Sequence, residues 1–392
     1  MENFNFYAPT YFAFGKDREN DCGELVKRFG GSKVLLHYGS GSVIRTGLLD
    51  RVKKSLDEAG LEYIELGGVK PNPRSGLVYE GIDLCRKNNI DFVLAVGGGS
   101  VIDSSKAIAA GSVYDGDFWD FYEGKPVTKA LPIGTVLTIS AAGSEGSPDS
   151  VITKEEGMLK RGASGEAYRP KFSILNPALT QTLPAYQTAC GITDIIAHLY
   201  ERYLTNTKDV EVTDRMIEAL IMAMVSEGPK AVKNPDDYEA RANIMWGGMM
   251  AHNNSCGVGR SQDWTSHNIE HELSALYDCA HGAGLAVTMP AVFTYTMKHD
   301  VMRFAQIAVR VWGCQMDFYN PENTAKAGIE ALRSFLISIG MPKNFEELGA
   351  KAEDIEKLAY TCCYGDGSGS GSISGFTTLS QKDVEEIYKL ML

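Results

Sequence analysis

Histidine is scarce in this chain, and the few histidines are unevenly distributed. Only 7 of the 392 residues are histidine, and three of them, His267, His271 and His281, lie close together. His267 and His271 are four residues apart, so they share one face if the segment is a helix. A second pair with this spacing, Asp194 and His198, lies upstream in GITDIIAHLYERY. The spacing predicts two helices that each present polar side chains on one face.

The side-chain types in these pairs indicate a transition metal. Two facing helices would place one carboxylate and up to four imidazoles around a point, a donor set that suits zinc or ferrous iron. The set contains too much nitrogen for magnesium or calcium. Spacing alone leaves open whether His271 binds the metal or stands beside it. His37, His252 and His299 lie outside the pairs, and we assign them to packing or to the surface.

A glycine-rich turn in the first half of the chain has the composition of a phosphate site. In AVGGGSVID, a β-rich run ends at Gly97, Gly98 and Gly99, and a helical pattern begins near Ser100. Glycine lets the backbone approach a ligand closely, and a helix N-terminus offers free N–H groups to a phosphate. A tight turn without any ligand is the alternative interpretation.

The segment YGSGSVIRTG forms a second glycine turn, with Gly39, Ser40, Gly41 and Ser42 in succession. It carries Ile44 where a dinucleotide fingerprint has its third glycine, so it does not match G-x-G-x-x-G. Two such turns after neighbouring strands still favour a nucleotide site at the edge of a sheet. The sequence has no G-x-x-x-x-G-K-[ST] motif, which argues against an ATPase or GTPase.

A nucleotide site and a metal site in one chain favour hydride transfer. A metal can act as a Lewis acid on an alcohol or carbonyl oxygen, and a nicotinamide can accept or donate the hydride. The chemistry of the two sites therefore predicts an oxidoreductase.

The sequence patterns that predict secondary structure differ between the two halves of the chain. Alternating β-rich and helical patterns predict a parallel sheet with helices on both faces. After residue 184 nearly every pattern has the helical period. We predict an α/β dinucleotide-binding domain at 1–184 and an all-helical metal and substrate domain at 185–392, with the Gly/Ser-rich segment 364–375 as a mobile loop. The predicted strands are 33–39, 62–68, 92–100, 131–140 and 170–180.

Composition limits the partners and the compartment. The net charge of -12 argues against nucleic acid and anionic membranes, since both repel an acidic surface. Apolar runs such as ALIMAMV are too short to cross a bilayer, and the N-terminus does not have the pattern of a signal peptide. The eight cysteines are scattered without a CxxC pair, which favours reduced thiols and a cytoplasmic protein.

Several long segments together resemble the iron-containing (group III) alcohol dehydrogenases, in the branch of the butanol dehydrogenases and NADP-dependent aldehyde reductases. They include GGVKPNP, LAVGGGSVIDSSKAIA, VLTISAAGSEGS, LNPALTQTLPAYQTACGITDIIAH and DWTSHNIEHELSALYDCAHGAGLA. The resemblance covers nearly the whole chain. It implies an N-terminal Rossmann-like domain, a C-terminal helical metal-binding domain of the dehydroquinate synthase-like type, and a homodimer.

The resemblance also implies roles for individual residues. Asp194, His198, His267 and His281 would hold one divalent metal, iron or zinc, and His271 would stand near the nicotinamide and the substrate as a proton carrier or orienter. Leu179 would line the cofactor, or else pack in the core. The other residues expected to contact the cofactor are Gly97, Gly98, Gly99, Ser100, Asp103, Thr138, Ser140 and Ser144.

The choice between NAD and NADP rests on two conflicting rules. The ordinary dinucleotide rule looks for an acid on the second strand, which is Glu65, and predicts NAD. The resembled family instead uses the end of the first strand, where an Asp would repel the 2′-phosphate of NADP. This chain has Gly39 and Ser40 there, and Lys160 matches a position that could pair with the phosphate. We therefore expect NADP, with NAD as the alternative.

Taken together, these features predict a metal-dependent alcohol dehydrogenase that acts chiefly as an aldehyde reductase on short to medium primary substrates of the butanal type. Two alternatives share the fold: a polyol dehydrogenase of the glycerol type, and a dehydroquinate synthase-like lyase that uses the nucleotide only transiently. A third alternative, a metal-dependent hydrolase, would use the glycine turns to bind a phosphorylated substrate.

Overall fold

A computed structural model describes residues 1–365 and 369–392 of the chain. The chain divides into two compact units, Tyr7–Leu183 and Pro184–Leu392, and the second unit also includes Met1–Phe6. The N-terminal residues join the second unit through hydrogen bonds such as that from the Glu2 amide to the Gly259 carbonyl. The domains 1–184 and 185–392 stay a prediction, from which these units differ in the first six residues.

The unit Tyr7–Leu183 is built on a six-stranded sheet in the order β1-β8-β5-β4-β2-β3. Every pairing in this sheet is parallel, as the alternation of strands and helices predicted. Its strands are β1 (Tyr11–Phe14), β2 (Lys33–Gly39), β3 (Glu62–Val69), β4 (Phe92–Gly97), β5 (Ile133–Leu137) and β8 (Phe172–Leu175).

Both faces of the sheet are covered, because alternate residues of its central strands enter two different cores. Val34 and Phe92 belong to one hydrophobic cluster, whereas Leu35 and Val93 belong to the other. All residues of β4 are buried, as expected for a central strand of a parallel sheet. The helices of this unit are α1 (Cys22–Arg28), α2 (Ser42–Arg45), α3 (Leu48–Glu58), α4 (Ser75–Asn88) and α5 (Gly99–Ser112).

An antiparallel hairpin in this unit was not predicted from the sequence. It consists of β6 (Asp149–Lys154) and β7 (Leu159–Ser164), joined by a turn in which Gly157 and Met158 have positive φ. The hairpin is attached to the segment that follows β3 in the chain, because the Thr153 amide donates to the Pro73 carbonyl at 2.8 Å.

The unit that begins at Pro184 is mainly helical. Its one sheet among the described residues is a hairpin of β9 (Ser372–Ser374) and β10 (Thr378–Ser380). The prediction of a mobile loop at 364–375 is therefore wrong for Ser372–Ser374, which form β9. Three further residues of that segment, Asp366, Gly367 and Ser368, lie outside the described residues. The helices are α6 (Ala185–Tyr203), α7 (Glu211–Lys233), α8 (Tyr238–His252), α9 (Thr265–Tyr277), α10 (His281–Thr296), α11 (Val301–Arg310), α12 (Pro321–Ser338), α13 (Phe345–Leu348), α14 (Ile355–Tyr364) and α15 (Gln381–Lys389).

The helices of the described residues all fall short of the length and apolarity that a bilayer-spanning segment needs.

The fully buried lysine of α5 fixes the segment that connects β5 to β6. The Lys106 ammonium donates to the carbonyl and hydroxyl oxygens of Ser144 and Ser147 and to the carbonyl of Asp149, at 2.7–3.3 Å. Asp103, one turn earlier on the same helix, accepts from the Ser144 hydroxyl at 2.5 Å. Because a buried charge is stable only when it is paired and hydrogen-bonded, these contacts hold the segment firmly against α5.

Replacing this lysine will destabilise the protein. Lys106→Met leaves several buried oxygens without their donor, and we expect the free energy of unfolding to fall by at least about 2 kcal/mol. Denaturant unfolding measures the loss. The control is Lys87→Met, because Lys87 is exposed and pairs with Asp83 at the surface. Equal stability of the two variants would contradict the anchoring role.

Candidate metal centre and dinucleotide turn

One carboxylate oxygen of α6 is the common point of the predicted metal ligands. Asp194 Oδ1 lies 3.4 Å from His198 Nε2, 3.5 Å from His267 Nε2 and 3.8 Å from His281 Nε2. The ligand atoms of Asp194, His267 and His281 all lie within 4.8 Å of one another. The structure thus brings the four predicted ligands together. His198 lies outside the group of three and is close to its Asp194 carboxylate.

Close helix packing makes this meeting possible. The helix α6 is buried on all sides from Thr188 to Tyr203, so both of its ligands lie in the interior. A Cβ at Gly282 would lie 2.1 Å from the Cys190 carbonyl oxygen of α6. Only glycine allows the start of α10 to come this near, which brings His281 to Asp194.

The atoms at this point have the properties that a metal requires. Asp194 Oδ1 and His267 Nε2 are buried, and neither makes a hydrogen bond to any described residue. Buried polar atoms without partners are uncommon in folded proteins and call for an explanation such as an unseen ion. One carboxylate and three imidazole nitrogens suit zinc or ferrous iron. The residues present therefore fit a divalent metal.

The electrostatics of this cluster favour a positive charge. Burial alone would lower the pKa of His267, but the Glu201 and Asp194 carboxylates raise it to about 10. Burial would raise the pKa of Asp194, yet His267 and His281 hold it below its usual value. Burial, with a further contribution from His252, lowers the pKa of His198 well below the usual range.

Three residues that sequence reasoning did not assign to the site lie against the ligands. Glu201 contacts His267 Nδ1, and Glu270 contacts His281 Nδ1. His252, which we had assigned to packing or the surface, is buried with its ring centroid 4.1 Å from that of His198. The glutamates repeat a His-x-x-Glu spacing that the sequence contained and that we had not used.

His271 shares the α9 face of His267. Its ring centroid lies 6.2 Å from that of His267 and 5.6 Å from that of His281. Its ligand atoms also group with those of Glu270 and His281. The structure therefore puts His271 beside the predicted ligands, and its role stays a prediction.

Packing of the α/β unit explains the glycines of the AVGGGSVID turn. A Cβ at Gly97 would lie 2.4 Å from Val101 Cγ2, and one at Gly98 would lie 2.2 Å from Ile139 Cγ2. Gly99 differs, because its Cβ would meet only the Ala142 methyl at 3.6 Å. Within the described chain, no side chain caps the N-terminus of α5. The turn therefore offers backbone N–H groups to an anion.

The neighbouring cofactor candidates lie at the same carboxyl edge of the sheet. Thr138 follows β5, and its amide donates to the Gly97 carbonyl at 3.1 Å. Ser140 and Ser144 are buried in the segment that Lys106 holds. Leu179 is half-buried and packs against one of the two cores of this unit, in line with its alternative role in packing.

The YGSGSVIRTG turn is exposed at its serines, and Lys160, the lysine predicted to contact the 2′-phosphate, is buried. Gly39 ends β2, and Ser40, Gly41 and Ser42 follow it, with both serines exposed. Lys160 lies on β7, where its ammonium donates to Asn72 Oδ1 at 3.1 Å.

Glu65, the acid considered for NAD, lies within β3 opposite Leu36 and not at the end of the strand. Its carboxylate pairs with Lys53 at 2.7 Å and accepts from the Tyr38 hydroxyl at 3.1 Å. These two contacts give Glu65 a structural role in β3.

Comparison with known proteins defines the class. A family profile described as iron-containing alcohol dehydrogenase matches residues 9–177, and one described as Fe-containing alcohol dehydrogenase family, C-terminal, matches residues 188–392. The chain belongs to the iron-containing alcohol dehydrogenase family, which confirms the resemblance and the predicted fold class.

Individual members of the family are similar to this chain over most or all of its length. The NADH-dependent butanol dehydrogenase A of Clostridium acetobutylicum is 40% identical over 391 residues, 99% of each chain. The NADPH-dependent aldehyde reductase YqhD of Escherichia coli is 35% identical over 362 residues, 91% of this chain and 92% of the other. The crystal structure of NADH-dependent butanol dehydrogenase A from Thermotoga maritima is 40% identical with a TM-score of 0.96, covering 100% of this chain and 99% of that one. The chain is an oxidoreductase of this family.

Two alanine variants will separate packing from ligand binding in the AVGGGSVID turn. Gly98→Ala clashes with Ile139, and we expect it to lower the free energy of unfolding by about 1–3 kcal/mol. Gly99→Ala has room for its methyl group, so we expect normal stability but at least about tenfold weaker NADPH binding, because the backbone can no longer approach a phosphate closely. Fluorescence titration and thermal unfolding measure the two effects. Unchanged NADPH affinity of Gly99→Ala would contradict the assignment.

Proposed function

We propose that this chain is a metal-dependent alcohol dehydrogenase that acts chiefly as an aldehyde reductase on short to medium-chain primary substrates of the butanal type. The observation that carries the proposal is the convergence of three imidazole Nε2 atoms, from His198, His267 and His281, on Asp194 Oδ1. The relatives named butanol dehydrogenase and aldehyde reductase support the choice of substrate.

In this proposal Asp194, His198, His267 and His281 hold one divalent ion, iron or zinc. Such an ion supplies Lewis acidity toward a carbonyl or alcohol oxygen, and a bound nicotinamide supplies or accepts the hydride. Close helix packing excludes water from three of the four ligands, since His281 alone has a side chain as much as 24% exposed. Substrate therefore approaches from the His281 side.

The α/β unit binds the dinucleotide. The N-terminus of α5, at Gly97, Gly98, Gly99 and Ser100, receives the pyrophosphate. Asp103 positions Ser144 through the 2.5 Å hydrogen bond, and the segment with Thr138, Ser140 and Ser144 orients the nicotinamide end.

His271 transfers the proton. It is half-buried beside His267 and His281, and its α9 position gives it the same helical face as a ligand. An imidazole is suited to this task, because its usual pKa lies near neutral pH.

Activity assays with metal removal test the proposed reaction. We expect the purified protein to reduce butanal, to lose activity on chelation, and to regain it when zinc or ferrous iron is added. The Asp194→Asn variant should lose more than about a hundredfold of the butanal-reducing activity. This loss exceeds the effect usually seen when only a hydrogen-bond partner of a metal ligand is removed. His299→Gln, at an exposed histidine on the helical unit, is the control.

Each other outcome favours an alternative. Oxidation of glycerol in preference to reduction of butanal would favour a polyol dehydrogenase. Turnover without net change in the nicotinamide would favour a lyase, and failure to bind NADPH would favour the hydrolase.

We further propose NADP as the preferred cofactor. No carboxylate is present at Gly39 or Ser40, and Glu65 is engaged by Lys53. The names of the relatives differ on this point, since the Clostridium protein is called NADH-dependent and the E. coli reductase NADPH-dependent. Lys160 is the remaining candidate for a contact with the 2′-phosphate, in which case its bond to Asn72 has to open.

One substitution tests this cofactor choice. Gly39→Asp should shift the ratio of kcat/KM values toward NADH by at least about tenfold, because a carboxylate repels the 2′-phosphate. A Cβ at this position would have its nearest neighbours 3.8 Å away, which is ordinary van der Waals contact. Glu65→Gln is the matched control and should leave the ratio unchanged. A wild-type preference for NADH would discard the argument from Gly39 and keep the enzyme.

We also propose a homodimer, from the resemblance to the family, and a cytoplasmic location, from the scattered cysteines of the sequence.

A further inference from the structure

The His-x-x-Glu spacing occurs twice in this chain, and both copies lie on ligand-bearing helices. His198 and Glu201 are on α6, and His267 and Glu270 are on α9. Residues three apart on a helix share a face, so each glutamate points to the same side as its histidine. Both glutamates are fully buried.

Each glutamate contacts the histidine of the next ligand helix. Glu201 of α6 binds His267 of α9 twice, with Oε2 at Nδ1 and with Oε1 accepting from the backbone amide at 3.0 Å. Glu270 of α9 binds Nδ1 of His281 on α10. The contacts therefore run in one direction, from α6 to α9 and from α9 to α10.

This arrangement fixes the ring nitrogen that each imidazole offers. A carboxylate at Nδ1 keeps the proton there, so the Nε2 lone pair is available and faces Asp194 Oδ1. We propose that Glu201 and Glu270 are positioning residues that orient His267 and His281 toward the metal and strengthen its binding. This inference rests on the metal site of the proposed function.

His198 provides a contrast within the same site. Its Nδ1 is buried and makes no hydrogen bond within the described ranges. Its ring is held by packing against His252 and by the edge of Trp264, whose centroid is 5.7 Å away. Two of the three histidines thus have a carboxylate at Nδ1, whereas the Nδ1 side of His198 lies among neighbouring rings.

A second role for Glu270 has to be distinguished from positioning. The ligand atoms of Glu270, His271 and His281 lie within 4.8 Å of one another, so the glutamate could itself be a ligand. Against this, its carboxylate engages the side of the His281 ring opposite to the nitrogen that faces Asp194. Gly284 also makes room for the buried carboxylate, since a Cβ there would lie 2.6 Å from Glu270 Oε1.

The test is metal affinity, measured by competition with a chelator on the metal-free protein loaded with zinc or cobalt(II). We expect Glu201→Gln and Glu270→Gln each to weaken binding by about 10- to 100-fold, because the neutral amide holds Nδ1–H less strongly. The absorption bands of the cobalt-loaded variants should keep the wild-type pattern, since the ligands are unchanged. Glu218→Gln is the control, because Glu218 is a buried carboxylate of the same unit that binds Tyr203 and Arg310.

The outcomes separate this inference from the proposed function. A wild-type protein that binds no metal contradicts the proposed function itself. If the wild type binds metal and Asp194→Asn does not, affinities of both glutamine variants equal to that of Glu218→Gln would overturn the positioning role. Loss of the cobalt spectrum in Glu270→Gln, as in Asp194→Asn, would overturn it too and make Glu270 a ligand. If Glu201→Gln does not fold, Glu270→Gln decides the question on a different helix.

Discussion

Three carboxylates, those of Asp194, Glu201 and Glu270, are buried in a single group of helices, and the structure around them follows from the need to compensate their charge. Removing an ionised carboxylate from water costs several kcal/mol unless hydrogen bonds and positive charge offset it. The imidazoles of His267 and His281 bind Glu201 and Glu270 through Nδ1, and the Nε2 atom of each ring faces the Asp194 carboxylate at 3.5 and 3.8 Å. The same carboxylates, Glu201 and Asp194, raise the pKa of His267 although burial alone would lower it.

The α/β unit also contains a buried charge that must be compensated, but there the charge is positive. Lys106 is a buried cation, and it is stable there because five oxygens surround its ammonium group. Four of those oxygens belong to Ser144 and Ser147, so the charge that must be satisfied also determines the path of the chain after β5. The segment predicted to hold the nicotinamide is therefore rigid for an electrostatic reason.

The sequence predicted what depends on local pattern. The all-buried run of β4, the alternation of strands and helices, and the i, i+4 spacing of Asp194 and His198 are local signals, and they predicted the site helices and every strand of the parallel sheet except β1 (Tyr11–Phe14). The β6–β7 hairpin was missed because its two strands are joined by a short turn, whereas the prediction relied on strands that alternate with helices. The glycines at 97 and 98 were predicted to approach a ligand, and the structure adds a packing reason for them, because a Cβ there would meet Val101 and Ile139.

The carboxylate partners could not be predicted in the same way, because each joins residues far apart in the chain. Glu201 and His267 are separated by 66 positions, and nothing in the sequence between them indicates the contact. What the sequence did contain was the repeated His-x-x-Glu spacing, which acquires meaning only when α6, α9 and α10 are packed in that order. Each of the first two helices then carries both a predicted ligand and a glutamate that contacts the predicted ligand on the next helix. The helix packing itself brings the predicted ligands together, and the close approach at Gly282 and the space at Gly284 are part of that packing.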